Sequence, residues 1–349
     1  MLVYNEVDGL KYALEQRWED KAANQFPMNK GNYVESYKKL EEYMNTNCHP
    51  NVTIGAALNE DGLLTDHGVE HVQMVIHNAF QILSINNKIG ELVGYEIYIL
   101  LLAIHFHDIG NISGRTEHEK RIAEIMDIMG ANIPLDRAER IVVSNIATTH
   151  GGFVCHSDSD KDTLCSLDIN ETCNGIPIRP ALLAAIVRMA DELSDDETRA
   201  NRFLDETDNI PACNRIFHEY SKSLSPISIT GNVVEFKFYI AHEIAFNKVP
   251  DEDGEYLYDE ILNRLKKCMC ELEYCRKYSQ GFIGITSLSI VLNVLQKDSG
   301  FRPEKTTKFN LRLSGYPQKD NIEFKLLEFE NGSKLRDALA SGKGLQPIC

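Results

Sequence analysis

No stretch of the chain approaches the roughly 20 consecutive apolar residues that a membrane-spanning helix needs, so no such helix is expected. The first twenty residues, MLVYNEVDGLKYALEQRWED, lack both a basic start and a continuous apolar stretch, so no secretory signal is expected there. Positive charge is scarce: 36 Lys and Arg stand against 52 Asp and Glu, a formal charge of −16. That balance argues against general affinity for nucleic acid or an anionic membrane, while leaving room for a local basic pocket. The nine cysteines are odd in number and lack the short C-x-x-C spacing of a zinc site. Without a secretory signal they read as reduced thiols of a cytoplasmic protein. Cys155, Cys165 and Cys173 share one polar stretch with His156, and ordinary loop cysteines are the better reading there. Cys268 and Cys275 share a helical face and read as core packing. Internal repeats and low-complexity tracts are absent as well.

What is present is helical pattern over the first two-thirds. NYVESYKKLEEYM has helical periodicity and good helix formers. TDHGVEHVQMVIHNAFQIL carries an apolar stripe of Val72, Val75, Ile76, Ala79 and Phe80, with Thr65 or Asp66 as the expected cap. GYEIYILLLAIHFHDIG is apolar nearly all round, which predicts a central helix stopped by Gly110. EHEKRIAEIMDIMG is amphipathic, and PLDRAERIVVSNIATTH is expected to start a helix on its proline. Residues 151–178 read as a long loop, and Arg179–Leu193 as another buried helix. After about residue 225 the texture changes. SPISITGNVVEFKFYI predicts a hairpin, EYLYDEILNRLKKCMCELEYC a helix, GITSLSIVLNVL a strand and NIEFKLLEFE a further strand. The expected architecture is mainly α: a helical extension over 1–59, a helical domain over 60–215 and a smaller α+β domain over 216–349.

His107 and Asp108 stand at the end of the greasiest stretch, where imidazole and carboxylate are costly without a partner. His71 lies on the apolar face of the preceding helix, and Asp191 lies in the buried RMADEL helix. Three packed helices would bring these four groups to one point, and the missing partner is then a divalent cation. Mixed imidazole and carboxylate donors suit Mn²⁺, Fe²⁺, Mg²⁺, Co²⁺ or Zn²⁺. His77 and His105 read as packing or surface residues.

The ordered set His71, His107-Asp108, Asp191 resembles the signature of the HD-domain metal-dependent phosphohydrolase superfamily. HFHDIGN is similar to its central motif, RMADEL to its final-aspartate helix and TDHGVEHVQMV to its first-histidine helix, where His67 rivals His71. The resemblance covers about residues 60–205 and implies an HD-type helical bundle. His118-Glu119 resembles the H-E pair that carries a catalytic histidine in the deoxynucleoside triphosphate triphosphohydrolases of this superfamily. In the HD-GYP phosphodiesterases, histidines placed like His118 and His150 hold a second metal, but the GYP segment is missing here. One metal with room for a second is therefore the expectation, with His118, Glu119 and His150 as catalytic candidates.

The implied activity is nucleotide hydrolysis, by preference of a deoxynucleoside triphosphate to nucleoside and triphosphate. Phosphodiesterase or 5′-nucleotidase action is the alternative within the class, and a nucleotide-sensing regulatory protein the alternative outside it. Phosphate would need cations, and Arg115, Lys120 and Arg199 are the candidates, with His67 as a further pocket residue. Arg188, three residues before Asp191, reads better as pairing locally. A homo-oligomer, a nucleotide effector, a protein partner for the C-terminal domain and a role in antiviral defence all fit the resemblance.

Overall fold

The structure is a computed structural model that describes residues 9–20, 25–57, 68–114, 116–154, 157, 159–195, 215–249, 254–297, 299–313 and 328–341. The chain divides into two units. The first contains residues 1–59, 67–194 and 274–284, and the second contains 60–66, 195–273 and 285–349.

The first unit is built from helices α1 (Gly9–Glu19), α2 (Tyr33–Tyr43), α3 (His49–Ala57), α4 (Val69–Ser84), α5 (Gly94–Phe106), α6 (Ile122–Met129), α7 (Arg137–Thr148) and α8 (Pro180–Glu192). Helix α5 is the axis. All thirteen of its residues are buried, as its all-round apolar sequence requires, and α1, α2, α4, α7 and α8 pack around it. Each fully buried Leu or Ile there contributes roughly 1.5–3 kcal/mol. Helix α4 turns His71, Val72, Val75, Ile76, Ala79 and Ile82 inward, and it also packs on α8. Asn78 fixes that pair: its side-chain amide donates to the Leu193 carbonyl and the Ser194 hydroxyl, both at 2.9 Å. Asn32 caps α2 through the Val34 and Glu35 amides. Glu139, in the capping box of α7, is fully buried and ion-paired with Lys30.

Four local expectations are corrected. Helix α4 has Gly68 at its N-cap position, while the expected Thr65 and Asp66 lie outside the described residues. Helix α5 ends at Phe106, and Gly110 lies inside a short 3₁₀ turn, Ile109–Ser113, where it serves a close contact rather than a stop. Helix α7 begins at Arg137 behind Asp136, because a reciprocal Asp136–Glu139 capping box is a stronger start than Pro134 two residues earlier. Residues 151–178 are not all loop. They contain a 3₁₀ turn, Thr163–Ser166, and a hairpin of β1 (Glu171–Cys173) and β2 (Ile176–Ile178). Its turn residues Asn174 and Gly175 both have positive φ, the conformation a two-residue hairpin favours. Three-residue strands are too short to announce themselves by alternation.

The second unit has α9 (Arg215–Ser223), β3 (Ser228–Thr230), β4 (Val233–Ile240), α10 (His242–Phe246), most of α11 (Leu257–Tyr278), β5 (Ser287–Gln296), β6 (Ser299–Arg312) and α12 (Gly332–Ala340). The sheet order is β3-β4-β5-β6. The β3–β4 hairpin turns at Gly231-Asn232 as the sequence predicts. Strands β4 and β5 are parallel, with α10 and α11 in the connection between them. Their register pairs Val234 with Leu288, Phe236 with Ile290 and Phe238 with Leu292, all buried. Cys268 and Cys275 are buried on α11, in keeping with packing. The NIEFKLLEFE segment lies mostly outside the described residues, and its last three described residues are not strand. The architecture is mainly α, a helical part followed by an α+β part, as expected. No single helix among the described residues is long and apolar enough to cross a membrane.

Candidate metal centre

Helices α4, α5 and α8 deliver His71, His107 with Asp108, and Asp191 to one point. One ligand atom from each lies within 4.8 Å of all the others. His71 Nε2 is 3.3 Å from His107 Nε2, 3.5 Å from Asp108 Oδ2 and 3.2 Å from Asp191 Oδ1. His107 Nε2 is 3.3 Å from Asp108 Oδ2 and 3.6 Å from Asp191 Oδ1. Donors about 2.1 Å from a common ion stand about 3.0–3.4 Å from one another in octahedral or tetrahedral arrangement. The observed spacings match that cage closely. His71, His107 and Asp108 are buried and Asp191 is partly exposed.

The other carboxylate oxygen of Asp108 faces a second group. Asp108 Oδ1 is 3.2 Å from His118 Nε2 and 3.5 Å from His150 Nε2, and the two imidazole nitrogens are 3.2 Å apart. These three residues also have metal-ligand spacing. Asn111, buried on the 3₁₀ turn after Asp108, donates to the same oxygen at 3.0 Å.

Backbone chemistry fixes which ring nitrogens are available. His107 follows α5 and its Nδ1 lies 2.7 Å from the Ile104 carbonyl. His150 lies just beyond α7 and its Nδ1 lies 2.7 Å from the Ala147 carbonyl. A carbonyl only accepts, so each Nδ1 carries a proton, which leaves each Nε2 to offer its lone pair to an ion when one is bound. Two helix ends thus use one device, a ring tied back to the carbonyl three residues earlier.

Burial pushes the His107 imidazole down, but the Asp108 and Asp191 carboxylates more than reverse this and hold it well above its usual range. Burial pushes the Asp191 carboxyl up, and hydrogen bonds from His107 and His71 bring it well below the usual carboxylate range. Without an ion, protons take the place of positive charge between the two acids.

Glycines make the close approaches. A Cβ on Gly110 would lie 1.8 Å from the His118 carbonyl oxygen, so the HDIG glycine lets the His118 turn dock on the HD turn. Gly152 has φ +74°, and a Cβ there would lie 2.7 Å from Glu119 Oε1. Glu119 in turn has Oε2 3.5 Å from His118 Nδ1. Gly55 on α3 touches the same turn, since its Cβ would lie 2.1 Å from the Asn111 carbonyl oxygen.

Among the candidate substrate residues, Lys120 is exposed and ion-paired with Glu117. Arg115, Arg199 and His67 lie outside the described residues. His105 is buried, and its role is larger than filling space. Its Nδ1 meets His49 Nε2 at 3.0 Å and its Nε2 meets the Tyr37 hydroxyl at 3.1 Å. Burial, reinforced by His105 and His107, lowers His49 to about 2, and burial lowers His105 to about 3, so both are neutral near pH 7. Sequence reasoning missed His49: it stands alone in its segment, and only the packing of α3 brings it to His105. Asn111 was visible in HFHDIGN, three residues beyond Asp108, but its spacing alone did not reveal its donor role.

A family model, HD-CE, matches residues 61–266, more than half of the chain. The protein belongs to the HD-CE family. Comparison with curated proteins and with solved structures finds no match to either. The matched HD-CE region holds every residue of both ligand groups, whereas α2 and α3, with Tyr37, His49 and Gly55, precede it. An HD-type domain with this His/Asp cluster points to a metal-dependent hydrolase.

Proposed function

We propose that this HD-CE protein is a divalent-metal-dependent phosphohydrolase acting on nucleotides. The observation that supports it is the four-donor cage of His71, His107, Asp108 and Asp191, with His118 and His150 on the remaining Asp108 oxygen. A divalent ion held in that cage would polarise a phosphoryl oxygen and acidify a water molecule. The chain's own residues would do the rest. Asp108 orients the donors through both oxygens, and His118 is placed to move a proton at its Nε2, with Glu119 beside its Nδ1. By resemblance, the preferred reaction releases nucleoside and triphosphate from a deoxynucleoside triphosphate.

A second reading has its own support. Asp108, His118 and His150 could hold a second ion, and a two-ion centre would suit phosphodiester or phosphomonoester cleavage. The two readings part on product and stoichiometry. Purified protein is assayed with Mn²⁺, Mg²⁺ or Co²⁺ against deoxynucleoside triphosphates, nucleoside monophosphates and cyclic dinucleotides, with products identified by mass. Triphosphate release with one bound ion supports the first reading; orthophosphate or diester cleavage with two supports the second. Binding without turnover of any of them defeats the hydrolase proposal and favours a nucleotide sensor. Self-association and a nucleotide effector belong to the same proposal, checked by light scattering with and without nucleotide.

A further inference from the structure

Residues 274–284 group with the first unit although they follow the family-matched stretch. They start with the last turn of α11, where Lys277 Nζ and the Tyr278 hydroxyl donate to one oxygen, Asp162 Oδ2, at 2.8 and 2.9 Å. Asp162 is buried, and its Oδ1 has no hydrogen-bond partner among the described residues. The segment is anchored again further on. The Phe282 ring lies under the Arg179 guanidinium at 4.7 Å and near Lys88 at 5.3 Å, and Gly284 abuts Ile85.

Asp162 sits in a turn that leads directly to the centre. Arg188 Nη1, from the buried face of α8, donates to the Lys161 carbonyl at 2.7 Å and to Thr163 Oγ1 at 3.0 Å. Thr163 Oγ1 donates onward to the Thr149 carbonyl at 2.8 Å. The next residue is His150. The Thr149 hydroxyl also closes on the Ile146 carbonyl at 2.9 Å, beside the Ala147 carbonyl that holds the His150 ring. A chain of hydrogen bonds thus runs from Tyr278 and Lys277 through Asp162, the 161–163 turn and Thr163 to the peptide of His150.

We infer that Asp162, Lys277, Tyr278 and Arg188 are positioning residues for His150, clamping the 161–163 turn so that the Asp108–His118–His150 group keeps its spacing. The inference rests on the reading of that group as part of the reaction centre. Its physical basis is the asymmetry of buried polar groups. A buried carboxylate that loses a donor, or a donor that loses its carboxylate, costs more than the bond itself contributes, so the turn opens when either side is removed. Lys277 is itself largely exposed, which makes Tyr278 and the burial of Asp162 the stronger half of the clamp.

The test uses full-length protein and the variants Asp162→Ala, Tyr278→Phe and Lys277→Arg. Hydrogen exchange, read on ion-free protein, should rise across residues 147–163 in Asp162→Ala and Tyr278→Phe, while Lys277→Arg stays at the wild-type level. In Mn²⁺-loaded protein kcat should fall about tenfold with KM nearly unchanged. An exchange-coupled Mn²⁺ spectrum, where wild type shows one, should give way to that of isolated ions. Tyr278→Phe removes one hydroxyl, so it remains informative where Asp162→Ala does not fold. Unchanged exchange, or raised exchange with wild-type kcat and spectrum, overturns the inference. A wild type that takes up no Mn²⁺ defeats the hydrolase proposal instead, and exchange alone then decides the clamp.

Discussion

Asp108 carries two tasks on one side chain. Its Oδ2 completes the cage with His71 and His107, and its Oδ1 faces His118 and His150. A carboxylate shared in this way must not rotate, and Asn111 helps to fix it by donating to Oδ1. Partners that orient a ligand are worth about 10–100-fold in metal affinity. Asn111→Ala should therefore weaken Mn²⁺ binding by about that factor, whereas Asp108→Ala should abolish it, both by titration calorimetry. An Asn111→Ala protein with wild-type affinity would show that Oδ1 needs no support. The same group predicts a pH profile. The His107 imidazole is held well above its ordinary 6.5, so the stability it adds is whole below that value and is lost as pH rises through the raised one. The Asp191 carboxyl is held well below its ordinary 3.8, so its contribution is whole above that value and is lost only as pH falls through the depressed one. Ion-free protein should hence lose melting temperature as pH climbs above the ordinary imidazole range and through the raised His107 value, while Mn²⁺ affinity rises over the same range because protons no longer compete at His107. A flat melting temperature across that range would contradict the coupling.

At the scale of elements, the centre exists because backbone approaches backbone. Gly110→Ala places a methyl on the His118 carbonyl, so the two turns must part. Overpacking of that kind typically costs about 1–3 kcal/mol. The expected outcome is a lowered denaturant midpoint with the His71 cage still binding an ion and turnover lost; unchanged turnover would show that His118 tolerates displacement. These contacts also explain what could be read in advance. The apolar run of α5, the stripe of α4 and the RMADEL helix were legible because a buried helix repeats its pattern over three or more turns. The order of His71, His107-Asp108 and Asp191 was legible because each polar group interrupts such a pattern. Gly110 reads as a helix stop because sequence shows that a glycine is present, not which neighbour needs the space. His49 and Gly55 were illegible for a related reason. Their partners are 56 residues away in each case, and nothing in their own segment differs from ordinary helix.

For the whole molecule, the relevant quantity is the net charge of −16 set against the anionic substrate proposed above. The HD-CE chain would repel a free nucleotide at long range, and the screening length of about 8 Å at physiological salt limits that repulsion without removing it. Among the described residues, Lys120 and Arg121 follow His118 in sequence, two charges against the −16 of the chain. Lys120 is paired with Glu117, and Arg121 donates to the Ser113 carbonyl at 2.8 Å. Encounter should therefore speed up as salt is added, the opposite of electrostatic steering. We expect kcat/KM for a nucleotide to rise a few-fold between low and physiological ionic strength, with kcat nearly constant, because screening alters approach and not the bound geometry. Presaturating the nucleotide with Mg²⁺ should shrink the effect, since the substrate then carries less negative charge. A fall in kcat/KM with salt would mean that local cations outweigh the charge of the chain.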